Sequence, residues 1–175
     1  TGAILNLSNL TVQNGNGDDN AGVKRAGGAI RYANVNGVMN LDNVLVSNNQ
    51  TVFVGTMYGG GGVDFSGDSI TINQCVFSGN QTRLNGGGSG SSLGAGIRIS
   101  TRTATITGST FLNNTVDYYG GGLSLNATEN VTVTDSTFDS NSSTVGSGGA
   151  AGAYVVAGGN NSYFARNYFK SNSAL

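Results

Sequence analysis

A nine-residue frame recurs along this chain: a hydrophobic residue, a second hydrophobic residue five positions on, and an asparagine three beyond that. Five copies are complete: Leu41–Val46–Asn49, Ile72–Phe77–Asn80, Ile106–Phe111–Asn114, Val133–Phe138–Asn141 and Phe164–Phe169–Asn172. An earlier copy, Leu7–Val12, has Gly15 where the asparagine is due. The asparagines follow one another at steps of 31, 34, 27 and 31 residues. Between copies lies a glycine element: GGAIRY at 27–32, GGGVDF at 60–65, GAGIRI at 94–99, GGGLSL at 120–125 and a degenerate AAGAYV at 150–155. Spacing inside the copies is rigid, and length varies in linkers such as RLNGGGSGSSLG at 83–94.

A repeat of about 30 residues is one supersecondary unit that cannot bury its own apolar face, whereas stacked copies can. Segments such as AIRY, ITIN and CVF alternate with period two and favour β-branched and aromatic residues, so each copy reads as three short strands. No segment has helical periodicity. The expected fold is all-β, a right-handed parallel β-helix of about six coils, occupying residues 1–175 as a single domain.

Stacking turns the repeat into columns. Val12, Val46, Phe77, Phe111, Phe138 and Phe169 are expected to point inward, the four phenylalanines forming an aromatic stack. Two residues earlier, Leu10, Val44, Cys75, Ser109, Ser136 and Asn167 form a second inward column, which makes Cys75 a buried small residue rather than a reactive thiol. Asn49, Asn80, Asn114, Asn141 and Asn172 are expected at a turn. There an asparagine tolerates left-handed backbone and offers both donor and acceptor, so the five read as a hydrogen-bonded ladder. The glycines mark a second tight corner of the same coil.

The chain has no histidine and one cysteine, which excludes histidine triads, histidine metal sites, cysteine metal clusters and internal disulfides. With eight Lys+Arg against nine Asp+Glu, nothing directs it to nucleic acid or to an anionic membrane. No apolar run spans a bilayer, and no cofactor motif is present. Any export signal is expected to lie outside this chain.

The tetrapeptides GGAI (27–30), GGGV (60–63) and GGGL (120–123), paired with FSGN (77–80), FLNN (111–114), FDSN (138–141) and FKSN (169–172), resemble the alternating repeat motifs of the chlamydial polymorphic outer membrane proteins. Similar repeats occur in large surface proteins of many microbes. The resemblance covers nearly the whole chain. It implies a right-handed β-helical passenger of the autotransporter kind, exported to the extracellular cell surface and acting in adhesion. The shared motifs are structural, so the resemblance brings no catalytic residue.

Several features invite a functional reading. Arg31, Asp64, Arg98, Ser124 and Tyr154 face outward on the first strand, either as part of a carbohydrate cleft or as a solvated salt-bridge ladder of little energetic weight. Ser69, Thr71, Asn73, Thr103, Thr105, Thr107, Asn130, Thr132 and Thr134 form an outward grid, interrupted by Asn40 and Tyr163. Such a grid could order water or bind ice, or it could simply reflect β-propensity. Phe53, Met57, Tyr58, Tyr118 and Tyr119 could form an adhesive patch for a partner or cover their own coils. Asn16, Asp18, Asp19 and Asn20 offer oxygen ligands for a weak Ca²⁺ site, or a polar turn. Asn-x-Ser/Thr triplets occur at Asn6, Asn49, Asn80 and Asn126, of which Asn49 and Asn80 are expected to be buried.

Together these readings describe a non-enzymatic structural and adhesive β-helix at the cell surface, a stalk or fibre segment. A polysaccharide-binding or polysaccharide-degrading β-helix is the alternative, and an ice-binding solenoid a more distant one. Expected partners are a host or cell-surface ligand, or the chain itself. Neither end carries a recognisable cap, so the array is expected either to continue in a longer protein or to stack end to end with other copies.

Overall fold

The asparagine ladder is present and is complete at the level of individual atoms. In the computed structural model, which describes residues 2–18, 27–54, 59–85, 93–144 and 149–175, Asn114 Nδ2 donates to Asn141 Oδ1 at 2.9 Å and to the Phe77 carbonyl at 2.9 Å. Its Oδ1 accepts from both the backbone N–H and Nδ2 of Asn80, each at 3.0 Å. Both donors and both lone pairs of the amide are therefore used. Asn80 and Asn141 repeat the pattern, Asn49 repeats it on the donor side, and all four are fully buried. Where the first copy has Gly15 in place of asparagine, the glycine N–H still donates to Asn49 Oδ1 at 2.8 Å.

These bonds join parallel strands of successive coils into a β-solenoid of about five turns, with no helix among the described residues. Each coil crosses three faces. The first sheet stacks Ile30–Ala33, Val63–Ser66, Ile97–Thr101, Leu123–Ala127 and Ala153–Ala157. The second is a bent ten-stranded sheet built around Val38–Ser47, whose two halves pair upward with separate columns of strands. The third stacks six short strands, from Asn16–Asp18 and Gln50–Val54 to Ser173–Ala174. A further strand, after the asparagine, adds to the three expected, so the coils in which the second-sheet strand is divided carry four. The expected six coils become about five because the first copy supplies no first-sheet strand among the described residues.

The corners have a conformational basis that differs from the expectation. The ladder asparagines themselves are not left-handed. The residue before each one is: Asn48, Gly79, Asn113, Ser140 and Ser171 have φ between 51° and 64°. A second left-handed column, Asn9, Asn43, Gln74, Gly108, Asp135 and Arg166, bends the second sheet at mid-strand. At the glycine corner, Gly120 has φ 67°, and a Cβ on Gly122 would lie 2.6 Å from the Gly152 carbonyl oxygen and 3.0 Å from Phe111 Cβ. The two motifs recur together because they touch: the space left by the missing side chain is where the phenylalanine and asparagine columns pack.

The inward columns follow the predicted register. Phe77, Phe111 and Phe138 are fully buried and stack with centroids 5.0 and 4.7 Å apart, their rings nearly parallel at 6° and 2°. Each burial contributes about 1.5–3 kcal/mol. Phe169 continues the stack at 4.7 Å but is 56% exposed, so the expected interior stack of four has three enclosed members among the described residues. The Cys75 column, expected as an inward packing column, also holds a second polar ladder. Cys75 N–H donates to Ser109 Oγ at 3.1 Å, Ser109 N–H to Ser136 Oγ at 3.2 Å, and Ser136 N–H to Asn167 Oδ1 at 3.0 Å. Burial pushes the Cys75 thiol pKa up, consistent with an inert side chain.

Removing a ladder member strands its neighbours' donors and acceptors. Asn114→Ala is expected to cost about 1–3 kcal/mol for each buried group left unpaired, and Phe111→Ala about 3–5 kcal/mol through its cavity. Urea melts measure both; a variant as stable as the parent would contradict the stacked-column description.

Candidate functional site

Outside the core, parallel register turns repeats into straight rows. On the first sheet, Arg31, Asp64, Arg98, Ser124 and Tyr154 are direct partners across successive strands and form one outward row. Two residues along, Ala33, Ser66, Ser100, Asn126 and Val156 form another. Such rungs lie about 4.8 Å apart.

Asp64 is not the solvated member of a surface ladder that its position suggested. The residue is 5% exposed, and Arg98 Nη1 donates to its Oδ1 at 2.7 Å, while Arg31 Nε stands 3.9 Å from Oδ2. Desolvation raises the Asp64 carboxyl pKa, opposed by the charge and hydrogen bond of Arg98 and by the charge of Arg31.

Beside this ion pair runs an open groove of about 410 Å³. Its floor is made by Arg98, Ser100, Ser124 and Asn126, with Tyr154 and Val156 at one end. Tyr119 and Leu93, bridged to each other as a parallel pair, form its wall. The Tyr119 and Tyr154 rings lie 5.3 Å apart and tilted by 39°, and Tyr118 stands 6.3 Å behind Tyr119. The tyrosine loop is anchored by its backbone. The Tyr119 carbonyl accepts from Gly94 N–H at 2.9 Å, and the Tyr118 carbonyl accepts from the Ser143 hydroxyl.

Of the aromatic patch expected from the sequence, Tyr118 and Tyr119 are brought together and extended by Tyr154. Phe53 lies in the strand Gln50–Val54, its backbone paired with Leu84. The Phe53 side chain, Met57 and Tyr58 lie outside the described residues. Arg98, Ser124 and Tyr154, a row expected from the sequence as one side of a carbohydrate cleft, do line the groove; its junction with Tyr119 is not apparent from the repeat, because Tyr119 ends one coil's corner and Tyr154 sits on the next coil's first strand. The signal was available: Tyr119 immediately precedes one glycine element, and Tyr154 lies inside the following one.

The remaining candidates separate clearly. Asn16 is on the third sheet, where its Oδ1 accepts from Gln50 Nε2 at 3.5 Å; the Asp18 side chain, Asp19 and Asn20 lie outside the described residues. Among the described residues no group of three potential metal ligands occurs. Thr71, Thr105 and Thr132 do form a row, flanked by Asn40 and Tyr163. Thr134, beside that row, is buried, so the grid is neither long nor uniformly open. Asn49 and Asn80 are fully buried and unavailable to a glycosyltransferase, whereas Asn6 and Asn126 are exposed.

Elsewhere the ion pairs are exposed. Arg102 donates to both Asp68 oxygens, at 2.7 and 3.1 Å, and to Glu129 at 2.9 Å, while Arg166 pairs with Asp135 at 2.6 and 2.7 Å. Hydrogen bonds from Arg102 and Arg166 hold the Asp68 and Asp135 carboxyl pKa values below the usual range.

No known protein family, curated protein or solved structure matches this chain.

The three carboxyls give opposite pH signatures. The folded Asp64 carboxyl holds its proton more tightly than the unfolded one, so it adds stability as pH falls through its folded pKa and subtracts it above. Asp68 and Asp135 contribute stability above their unfolded pKa and lose it as pH falls through their depressed folded values. Carboxyl ¹³C NMR titration is expected to place Asp64 above the ordinary aspartate midpoint and Asp68 and Asp135 below it. An Asp64 midpoint lower than that of Asp68 would contradict the burial assigned to it.

Proposed function

We propose that this chain is a segment of a structural, adhesive β-solenoid at the cell surface, and that it engages its partner through the groove between Tyr119 and Tyr154. The carrying observation is the groove's composition. Tilted tyrosine faces, hydroxyls, an amide and a guanidinium converge on one open trough. Aromatic and arginine side chains are the groups that interfaces favour, because they combine large contact area with directed hydrogen bonds. Two further observations support the reading. The glycine and Phe-x-x-Asn motifs resemble those of the polymorphic outer membrane proteins, which implies display and adhesion. The ladders and ring stack hold the outer rows in fixed register, which suits a rigid presenting scaffold.

A second reading, turnover of a bound polysaccharide, draws on Asp64, whose buried carboxyl is shifted upward beside the groove. Glycoside hydrolysis ordinarily uses a pair of carboxyl groups flanking the scissile bond. Asp64 is the sole carboxylate of its five-residue row and is already taken by Arg98. Binding is therefore the preferred reading.

Beads coated with the protein test it. A Tyr119→Ser/Tyr154→Ser variant with unchanged circular dichroism is expected to lose about tenfold in attachment to cells or glycan-coated surfaces, corresponding to about 1.4 kcal/mol. Full attachment by the folded variant would overturn the assignment of the groove.

A further inference from the structure

Resting on that reading, we infer that the groove takes a linear, carboxylate-bearing glycan lying parallel to the solenoid axis, with its acidic groups directed to Arg98. Three observations carry the inference independently of one another.

The first is the repeat of the floor. Successive rungs offer Arg98 and Ser100, then Ser124 and Asn126, then Tyr154 and Val156. The rungs are about 4.8 Å apart, close to the advance of one hexose unit along an extended glycan. An extended peptide would present same-side residues about 6.8 Å apart, twice its rise per residue, and would drift out of step after a single rung.

The second is the polar chemistry. Among the described residues, no hydrogen bond engages the exposed Asn126 amide or the half-buried Ser100 hydroxyl, while Ser124 on the adjoining row is buried. Amides and hydroxyls each both donate and accept, which matches the mixed character of sugar hydroxyls. The Tyr154 ring, 39% exposed and tilted against Tyr119, presents a face to the C–H side of a sugar ring.

The third is charge. Among the described residues, Arg98 is the one charged residue lining the groove, and a guanidinium has five N–H donors, of which Asp64 takes one through Nη1. Arg31 lies on the far side of the same carboxylate. Two guanidinium groups against one buried carboxylate leave this row positive on a chain whose net charge is −1. A planar guanidinium fork pairs with carboxylates in a defined geometry, so a uronic acid is the sugar class that uses what the groove offers.

Titration calorimetry at low and moderate salt, with a linear hexamer of a uronic acid and the same hexamer as its methyl ester, tests the inference. The acid form is expected to bind at least about tenfold more tightly than the ester, with the preference shrinking as salt screens the charges. Arg98→Gln is expected to abolish the preference. If that variant fails to fold because Asp64 loses its partner, Asp64→Asn/Arg98→Gln keeps a neutral amide pair in place and serves the same purpose. Equal affinity for acid and ester, or no binding of either, would overturn the inference. If bead attachment still depended on Tyr119 and Tyr154 in that event, the adhesive reading would stand and only the ligand class would fall. Loss of that dependence as well would remove both.

Discussion

A carboxamide with all four of its hydrogen-bonding positions filled, repeated in the three central coils at Asn80, Asn114 and Asn141, is the interaction on which this structure depends. Asn80, Asn114 and Asn141 each bind the next coil's asparagine and the carbonyl of a residue in the preceding coil, and each oxygen receives two donors in return. Buried polar groups are costly when unpaired and specific when fully paired. A slip of one residue between coils would exchange every inward side chain for an outward one. The same slip would unpair the entire asparagine column. Register is thus set by packing and by polar satisfaction together. The left-handed residue before each asparagine turns the chain so that the amide enters the core.

From that register the outer surface follows. Because coils stack in step, like positions line up whether or not their residues are alike, and the first-sheet row brings two arginines, an aspartate, a serine and a tyrosine into one line. The core positions are occupied by near-repeats, whereas the outward positions vary from coil to coil. This division separates the two tasks of the chain. The repeats build a rod, and departures from the repeat write a local surface on it. The groove by Arg98 and Tyr154 is one such departure, closed on one side by a tyrosine that projects from the corner where the third sheet passes to the first.

The fold was largely legible because its signal is redundant. Phe77, Phe111 and Phe138, with the asparagines three residues on, announce a column before any strand is assigned, and the glycine elements locate the opposite corner. Three things were less legible, each for a physical reason. The strand after the asparagine shrinks to two residues in the later coils, as in Thr115–Val116 and Ser142–Ser143, and there carries no hydrophobic alternation to mark it. The left-handed residue was assigned to the asparagine itself, since Asn48 and Asn113 place that residue type at both adjacent positions, while Gly79 and Ser140 show which of the two bends. The burial of Asp64 depends on Arg98 one coil above it, and sequence alignment shows such neighbours without showing how deeply they sink. The candidate groove was legible in its row of Arg98, Ser124 and Tyr154 but not in its Tyr119 side, because that side joins a corner residue to a strand residue of the next coil.

Exchange of the asparagine side-chain amide protons with solvent probes the ladder most directly, since it reports on those hydrogen bonds without altering any residue. NMR of uniformly ¹⁵N-labelled protein transferred to D₂O should find the Nδ2 protons of Asn80, Asn114 and Asn141 exchanging far more slowly than those of exposed Asn6 and Asn126. They should be protected as strongly as the backbone amides of the Phe111 and Phe138 strands. Ladder amides that exchanged as fast as Asn126 would show that water reaches them, and the closed hydrogen-bonded column would not be what holds the coils in step.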